Sequence, residues 1–216
     1  IDPTRRRGGG ALLGDRIRMN SIEADQVFFR SLATRRAGSE IPDALDEMIA
    51  ACKGAGFDLV IVETPGIGQA SDAIVEHVDA SLYVMTPEFG AASQLEKIGM
   101  LDVADIVAIN KYERRGAEDA RRDVAKQMIR NREVFGASWQ DMPVYGTSAA
   151  RFNDDGVTAL YHALRDVLSE HGLPSTGGVL AKVETKVSTQ IDNIIPAEQE
   201  RYLAQIARTV RDYHEA

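Results

Sequence analysis

Three short stretches carry side chains and spacings suited to holding a nucleotide. Asn110-Lys111-Tyr112-Glu113 places an amide, an ammonium and a carboxylate within four residues, directly after an apolar run. The order Asn-Lys-x-acid reads guanine: the carboxylate accepts from the base N1–H and the exocyclic amine while the lysine packs along the ring. Such bidentate acceptance depends steeply on distance and angle. Glu113 stands where Asp is usual and sets the carboxylate one methylene further out, which keeps guanine favoured with weaker discrimination. Alone, four polar residues after a strand are more often the solvated start of a loop. The second stretch, Glu63-Thr64-Pro65-Gly66-Ile67-Gly68-Gln69, follows the apolar run 57–62. A carboxylate at a strand end can hold Mg²⁺ directly or through water, and a glycine N–H can reach a terminal phosphate. A tight turn before a helix explains that loop about as well. The third, Thr147-Ser148-Ala149-Ala150, closes the last apolar run and offers backbone N–H groups to the guanine O6; as a tripeptide it is weak by itself.

The order of the three is stronger than any one of them. Each follows a strand candidate, where α/β folds bind ligands, and acid-x-x-Gly, Asn-Lys-x-acid and Ser-Ala succeed one another as in a GTPase. Strand candidates at 27–32, 57–62, 80–85, 106–109 and 143–147 alternate with helix candidates at 42–55, 93–103, 117–135 and 157–170. That alternation predicts an α/β domain with a mostly parallel sheet flanked by helices. Leu59-Val60-Ile61-Val62 is continuously apolar, as expected of a central strand covered on both faces. Pro42-Asp43 reads as a helix start and Gly54 and Gly56 as its stop. The phosphate-cradling pattern Gly-x-x-x-x-Gly-Lys-[Ser/Thr] does not occur, and the chain holds no Gly-Lys pair. That loop belongs after a first strand, so the expectation is a domain whose first strand and phosphate loop are missing from this segment. The opening on Ile-Asp-Pro fits that expectation. Beyond Gly172-Leu173-Pro174 and Gly177-Gly178 the tail reads as polar, helical from about 179 and free of strands. The predicted organisation is a nucleotide-binding domain over 1–173 and a helical linker over 174–216, packed on a neighbour or leading into another domain.

Composition bounds the alternatives. The 216 residues are 44% hydrophobic and 27% charged, which suits one folded domain with a real core and excludes global disorder. A net charge of −8 argues against a chain built mainly to grip nucleic acid or anionic lipid. The single cysteine, Cys52, excludes an intrachain disulfide and multi-cysteine metal sites and fits a reducing cytoplasm. No apolar run approaches the roughly 20 residues that span a bilayer. His77, His162, His171 and His214 lack metal-ligand spacing, and Trp139 reads as packing rather than a ligand stacker.

Asp2-Pro3-Thr4, Gly9-Gly10-Ala11-Leu12-Leu13-Gly14-Asp15-Arg16-Ile17-Arg18-Met19 and the 63–69 loop resemble the MeaB-type G-protein chaperones of adenosylcobalamin-dependent acyl-CoA mutases. The resemblance covers about 1–173, and Gly-Asp-Arg-Ile-Arg-Met is its most specific part. The Arg5-Arg6-Arg7-Gly8-Gly9-Gly10 opening and the run from Asn110 to Ala120 look closest to one branch of that family. In that branch the G domain lies in one polypeptide, between a cobalamin-binding domain and a mutase barrel acting on isobutyryl-CoA and butyryl-CoA. The resemblance implies a P-loop GTPase of the SIMIBI type. It places Asp2, Asp15 and Glu63 around Mg²⁺, although Asp2 and Asp15 also suit ordinary turn and capping roles. It makes 4–15 a first switch, with Arg5, Arg6 and Arg7 able to approach phosphates, and 63–71 a second. A third switch falls at 88–100, with Lys97 the candidate for a cross-domain contact; a solvated face is the commoner reading of such charges.

Glu63, Gly66 and Gln69 would then serve catalysis, Gly66 donating its N–H to the γ-phosphate. Asn110, Lys111, Glu113, Ser148 and Ala149 would hold the nucleotide. The implied activity is Mg²⁺-dependent GTP binding and hydrolysis that gates the loading and protection of adenosylcobalamin in a mutase. The implied partners are the mutase's cobalamin-binding and substrate domains, in a cytoplasmic homodimer without nucleic acid or membrane. The alternative is a nucleotide-responsive scaffold between those domains with negligible turnover.

Overall fold

The computed structural model describes residues 1, 26–32, 34, 41–64, 72–88, 92–174, 178–189 and 212–213. Ile106-Val107-Ala108-Ile109 is apolar throughout, and all four side chains are at most 1% exposed. A run buried on both faces is the signature of a central parallel strand. It forms β2 (Ile106–Asn110), flanked by β1 (Leu82–Met85) and β3 (Val144–Thr147) in a parallel sheet of order β1-β2-β3. The register pairs Leu82 with Ile106 on one side, and Val107 with Val144 and Asn110 with Thr147 on the other.

Among the described residues four α-helices accompany the sheet: α1 (Leu45–Gly54), α2 (Met100–Val103), α3 (Ala117–Asn131) and α4 (Asp155–Glu170). On α3, Ala117, Ala120, Val124, Ala125 and Met128 recur at helical spacing and are buried. Their small side chains bring the helix close to the sheet, where Val124 and Met128 join Val107, Ile109, Leu101, Met142 and Val144 in the core. Arg121, buried on the same helix, reaches off it to the sheet: its Nε donates to the Val144 carbonyl at 2.9 Å while its guanidinium lies 5.1 Å from the Trp139 ring. Trp139 is thus a packing residue, partly buried against the core.

Several elements differ from the sequence reading, each for a local reason. The helix predicted over 93–103 divides into a 3₁₀ turn (Ala92–Lys97) and α2, with the break at Ile98-Gly99. Leu95, Ile98 and Leu101 are all at most 5% exposed, so burying three apolar residues on a short path overrides helical continuity. The helix predicted to reach 135 stops at Asn131, two residues before Glu133 adopts φ +56°. Helix α4 begins two residues earlier than predicted because the Asp154 carboxylate caps it, accepting from the Val157 N–H at 2.9 Å. A further 3₁₀ turn, Ala73–His77, was not anticipated.

The runs 27–32 and 57–62 are not strands, although Phe28 and Phe57 bring them together with ring centroids 6.3 Å apart. Among the described residues neither has a ladder partner, and apolar side chains alone do not make a strand. Leu59 is 45% and Ile61 82% exposed, the opposite of the two-sided burial predicted for them. The tail also departs from its prediction. Residues 178–189 are irregular rather than helical, and Val187 forms a parallel bridge with Gly146 at the edge of β3. Beyond them only Asp212 and Tyr213 are described, in helical conformation. Among the described residues no helix is long and apolar enough to cross a membrane.

This division of burial sets expectations for stability. Leu101→Ala, at a fully buried position, should lower unfolding free energy by about 2–5 kcal/mol in urea titrations. Ile61→Ala, at an exposed one, should stay within about 0.5 kcal/mol.

Candidate guanine-nucleotide site

The last ladder pair of β2 and β3, Asn110 with Thr147, puts two loops side by side. The Asn110 side-chain oxygen accepts from the Thr147 hydroxyl at 3.3 Å and from the Ala149 N–H at 3.2 Å. The Tyr112 N–H donates to the Thr147 carbonyl at 3.0 Å, so the two loops remain joined one step beyond the ladder. Between these contacts Lys111 takes φ +59°, a left-handed conformation uncommon for a lysine. The turn closes with the Arg114 N–H on the Lys111 carbonyl at 3.0 Å. It leaves Lys111 and Glu113 exposed at the mouth of the site.

Glu113 is oriented by Ser148, whose hydroxyl donates to its Oε2 at 2.8 Å. Ser148 itself is fully buried. Burial works against the Glu113 carboxylate. Its own backbone N–H, the Ser148 hydroxyl and the charges of Arg151 and Arg114 outweigh that effect and hold its pKa below the ordinary value. An ionised, exposed carboxylate has the acceptor capacity that a guanine N1–H and exocyclic amine would use.

Two glycines make the close packing possible. A Cβ on Gly146 would lie 2.4 Å from the Tyr112 ring, so that ring seats directly over the β3 backbone. A Cβ on Gly156 would lie 2.1 Å from the Gly146 carbonyl oxygen.

Asn110, Lys111, Glu113, Ser148 and Ala149 thus lie together in the two adjoining loops. Glu63 lies at the exposed end of 57–64, with its backbone carbonyl accepting from the Ile1 amino group. Asp2, Asp15, Arg5, Arg6, Arg7, Gly66 and Gln69 lie outside the described residues. Among the described residues no cluster of three His, Cys, Asp or Glu could hold a metal. Lys97 sits on the exposed side of its 3₁₀ turn. An Arg114–Glu88 ion pair joins the loops after β1 and β2. Sequence reasoning missed Thr147 as the hydroxyl partner of Asn110. It also missed Asp154, whose Oδ2 accepts from the Ser148 N–H at 3.2 Å. No local signal in the sequence marks that role.

A parallel α/β sheet that delivers Asn-Lys-x-acid and Ser-Ala to one end is the arrangement expected of a GTPase-type α/β domain. The family model described as "Methylmalonyl Co-A mutase-associated GTPase MeaB" matches residues 1–206. This chain belongs to the MeaB GTPase family. It is 68% identical over 214 residues to the "Fused isobutyryl-CoA mutase" of Nocardia farcinica, covering 99% of this chain and 20% of that protein. The protein of the same name from Cupriavidus metallidurans is 64% identical, again over 99% of this chain and 20% of its own length. The mouse "Methylmalonic aciduria type A homolog, mitochondrial" is 28% identical over 90% of this chain and 46% of its own. The chain spans about a fifth of the length of the two fused mutases.

The depressed Glu113 pKa fixes a pH dependence. A lowered pKa leaves more than half of the carboxylate charged at its ordinary value of 4.5, so the loss of GDP affinity on acidification should be centred below that pH. GDP titrations across acid pH test this. Glu113→Gln, which replaces one acceptor by a donor, should weaken GDP binding at neutral pH by about tenfold or more.

Proposed function

We propose that this chain is the GTP-binding and GTP-hydrolysing domain of a larger acyl-CoA mutase polypeptide. The single observation that carries the reading is the joined base site: Asn110 held by Thr147 and Ala149, and Glu113 held by Ser148. Membership of the MeaB family supports hydrolysis as the activity. The similarity to proteins named fused isobutyryl-CoA mutase supports a place beside a mutase acting on isobutyryl-CoA and butyryl-CoA. The cobalamin-binding and substrate domains of such a polypeptide are the proposed partners, with 174–216 connecting to the latter. A cytoplasmic homodimer is part of the same reading.

In this mechanism Asn110, Lys111, Glu113, Ser148 and Ala149 select and orient guanine. Asp2, Asp15 and Glu63 would hold Mg²⁺; an all-oxygen donor set suits that hard cation, which supplies charge neutralisation beside the phosphates. The Gly66 N–H meets the γ-phosphate, and Glu63 and Gln69 help to place the attacking water. Catalysis is then positioning and charge neutralisation rather than covalent chemistry. Loops ordered by the γ-phosphate, which Arg5, Arg6 and Arg7 would approach, relax after hydrolysis, and Lys97 would carry a cross-domain contact. The mutase domains read that change as a gate on adenosylcobalamin loading and protection.

The test is calorimetry of GTP, GDP and ATP with Mg²⁺ on the full-length polypeptide that carries this sequence. Tight binding of both guanine nucleotides and weak binding of ATP are expected. Lys111→Ala should weaken guanine binding by about tenfold with little change in unfolding midpoint, since the side chain is exposed. Equal affinity for ATP and GTP, or none for either, would sink the base-site reading. Guanine binding without turnover would leave the nucleotide-responsive scaffold as the function.

A further inference from the structure

The Ser148 backbone is held from behind by a segment far along the chain. Asp154 is buried, and its carboxylate is shared among three donors. Oδ2 accepts from the Ser148 N–H at 3.2 Å and from the Val157 N–H at 2.9 Å, while Oδ1 accepts from the Ser188 hydroxyl. One carboxylate therefore ties together the Ser148 loop, the start of α4 and the segment 185–189.

That segment is docked along its whole length. The Gly146 N–H donates to the Lys186 carbonyl and the Ser188 N–H to the Gly146 carbonyl, both at 2.9 Å. These bonds frame a single parallel bridge, Gly146 with Val187, at the edge of β3. Thr189 closes the far end, its N–H donating to Asp155 Oδ1 at 3.0 Å and its hydroxyl to Oδ2. Lys186 anchors the near end, its Nζ donating to the carbonyls of Gln140, Asp141 and Met142 at 2.9, 3.1 and 3.1 Å. Gly156 lets the start of α4 nestle into this junction, since a Cβ there would also lie 2.6 Å from the Ser188 nitrogen.

The connection to the base is short. Ser188 holds Asp154, Asp154 holds the Ser148 backbone, and the Ser148 hydroxyl holds Glu113. We propose that 185–189 is a latch for guanine recognition, with Ser188 and Asp154 as positioning residues that set the Glu113 carboxylate for the base. Undocking removes one of the three donors from a buried carboxylate and frees the β3 edge, so the Ser148 loop gains freedom and Glu113 loses its fixed direction. This inference rests on the guanine-site reading above and adds residues that touch no nucleotide.

The experiment compares GDP with IDP on the full-length polypeptide by calorimetry. IDP lacks the exocyclic amine that Glu113 accepts from, so the GDP/IDP affinity ratio reports the direction of that carboxylate. Binding stoichiometry separately reports the folded fraction. Ser188→Ala removes the donor to Asp154 and keeps the backbone pairing; Ser188→Pro also removes the N–H that donates to Gly146. The expected result is a GDP/IDP ratio reduced by about three- to tenfold in Ser188→Ala, with stoichiometry unchanged. Ser188→Pro should lose more, and Ser188→Thr should restore the ratio. An unchanged ratio in both Ser188→Ala and Ser188→Pro, with the unmutated protein preferring GDP, would overturn the latch alone. Absence of GDP binding in the unmutated protein would overturn the base site and the latch together.

Discussion

The pairing of Asn110 with Thr147 at the end of the β2–β3 ladder is the constraint on which the site depends. A strand slipped by one residue turns every side chain to the other face. Here that slip would separate the Asn110 amide from the Thr147 hydroxyl and the Ala149 N–H. What prevents it lies three residues away, where Val107 opposes Val144 and both are fully buried. Register at the polar end of the sheet is thus set by the volume of two valines at its apolar end. Helix α3 reinforces the arrangement from above, with Val124 and Met128 in the same core and the Arg121 guanidinium on the Val144 carbonyl.

The site divides into a fixed half and a wet half. Ser148 and Thr147 are buried and hydrogen-bonded, while Lys111, Glu113 and Ala149 are exposed. The buried half can hold direction without moving, and the exposed half exchanges water for a base without opening a core. Surface guanidinium groups at Arg114 and Arg151 add a field that keeps Glu113 ionised. Such charges cost little to maintain at the surface and contribute little to fold stability. Their effect falls on the protonation state of one carboxylate, where it matters for recognition.

The parts of this molecule legible in its sequence are those decided by neighbouring residues. Ile106-Val107-Ala108-Ile109 reads as a buried strand from four residues alone, and Asn110, Glu113 and Ser148 read as partners from their order after strands. Parts decided at a distance were misread. The run 57–62 has strand composition, but pairing depends on a partner that its own residues do not encode. The 185–189 segment has the reverse problem: Thr185, Lys186, Ser188 and Thr189 carry no apolar alternation, because its edge pairing is made by backbone and its anchors are polar. The break at Gly99 followed from the burial of Leu95, Ile98 and Leu101, which helical propensity does not foresee. The phosphate side of the site, with Asp2, Asp15, Gly66 and Gln69, rests on motif and resemblance, since those residues lie outside the described structure.

Gly146 and Gly156 meet at a point where backbone touches backbone, and this limits how the domain can change over evolutionary time. A methyl group at 156 would meet a carbonyl oxygen and an amide nitrogen rather than a side chain able to swing aside. No single substitution at a neighbouring position creates the missing room, because the obstructing atoms are common to every residue type. Helix α4, the edge of β3 and the segment 185–189 are therefore inherited as one block, and drift in any of them is tolerated only as a shared rigid shift. Sequence variety among relatives should collect on the outer faces of that block, and its inner seam should change slowly.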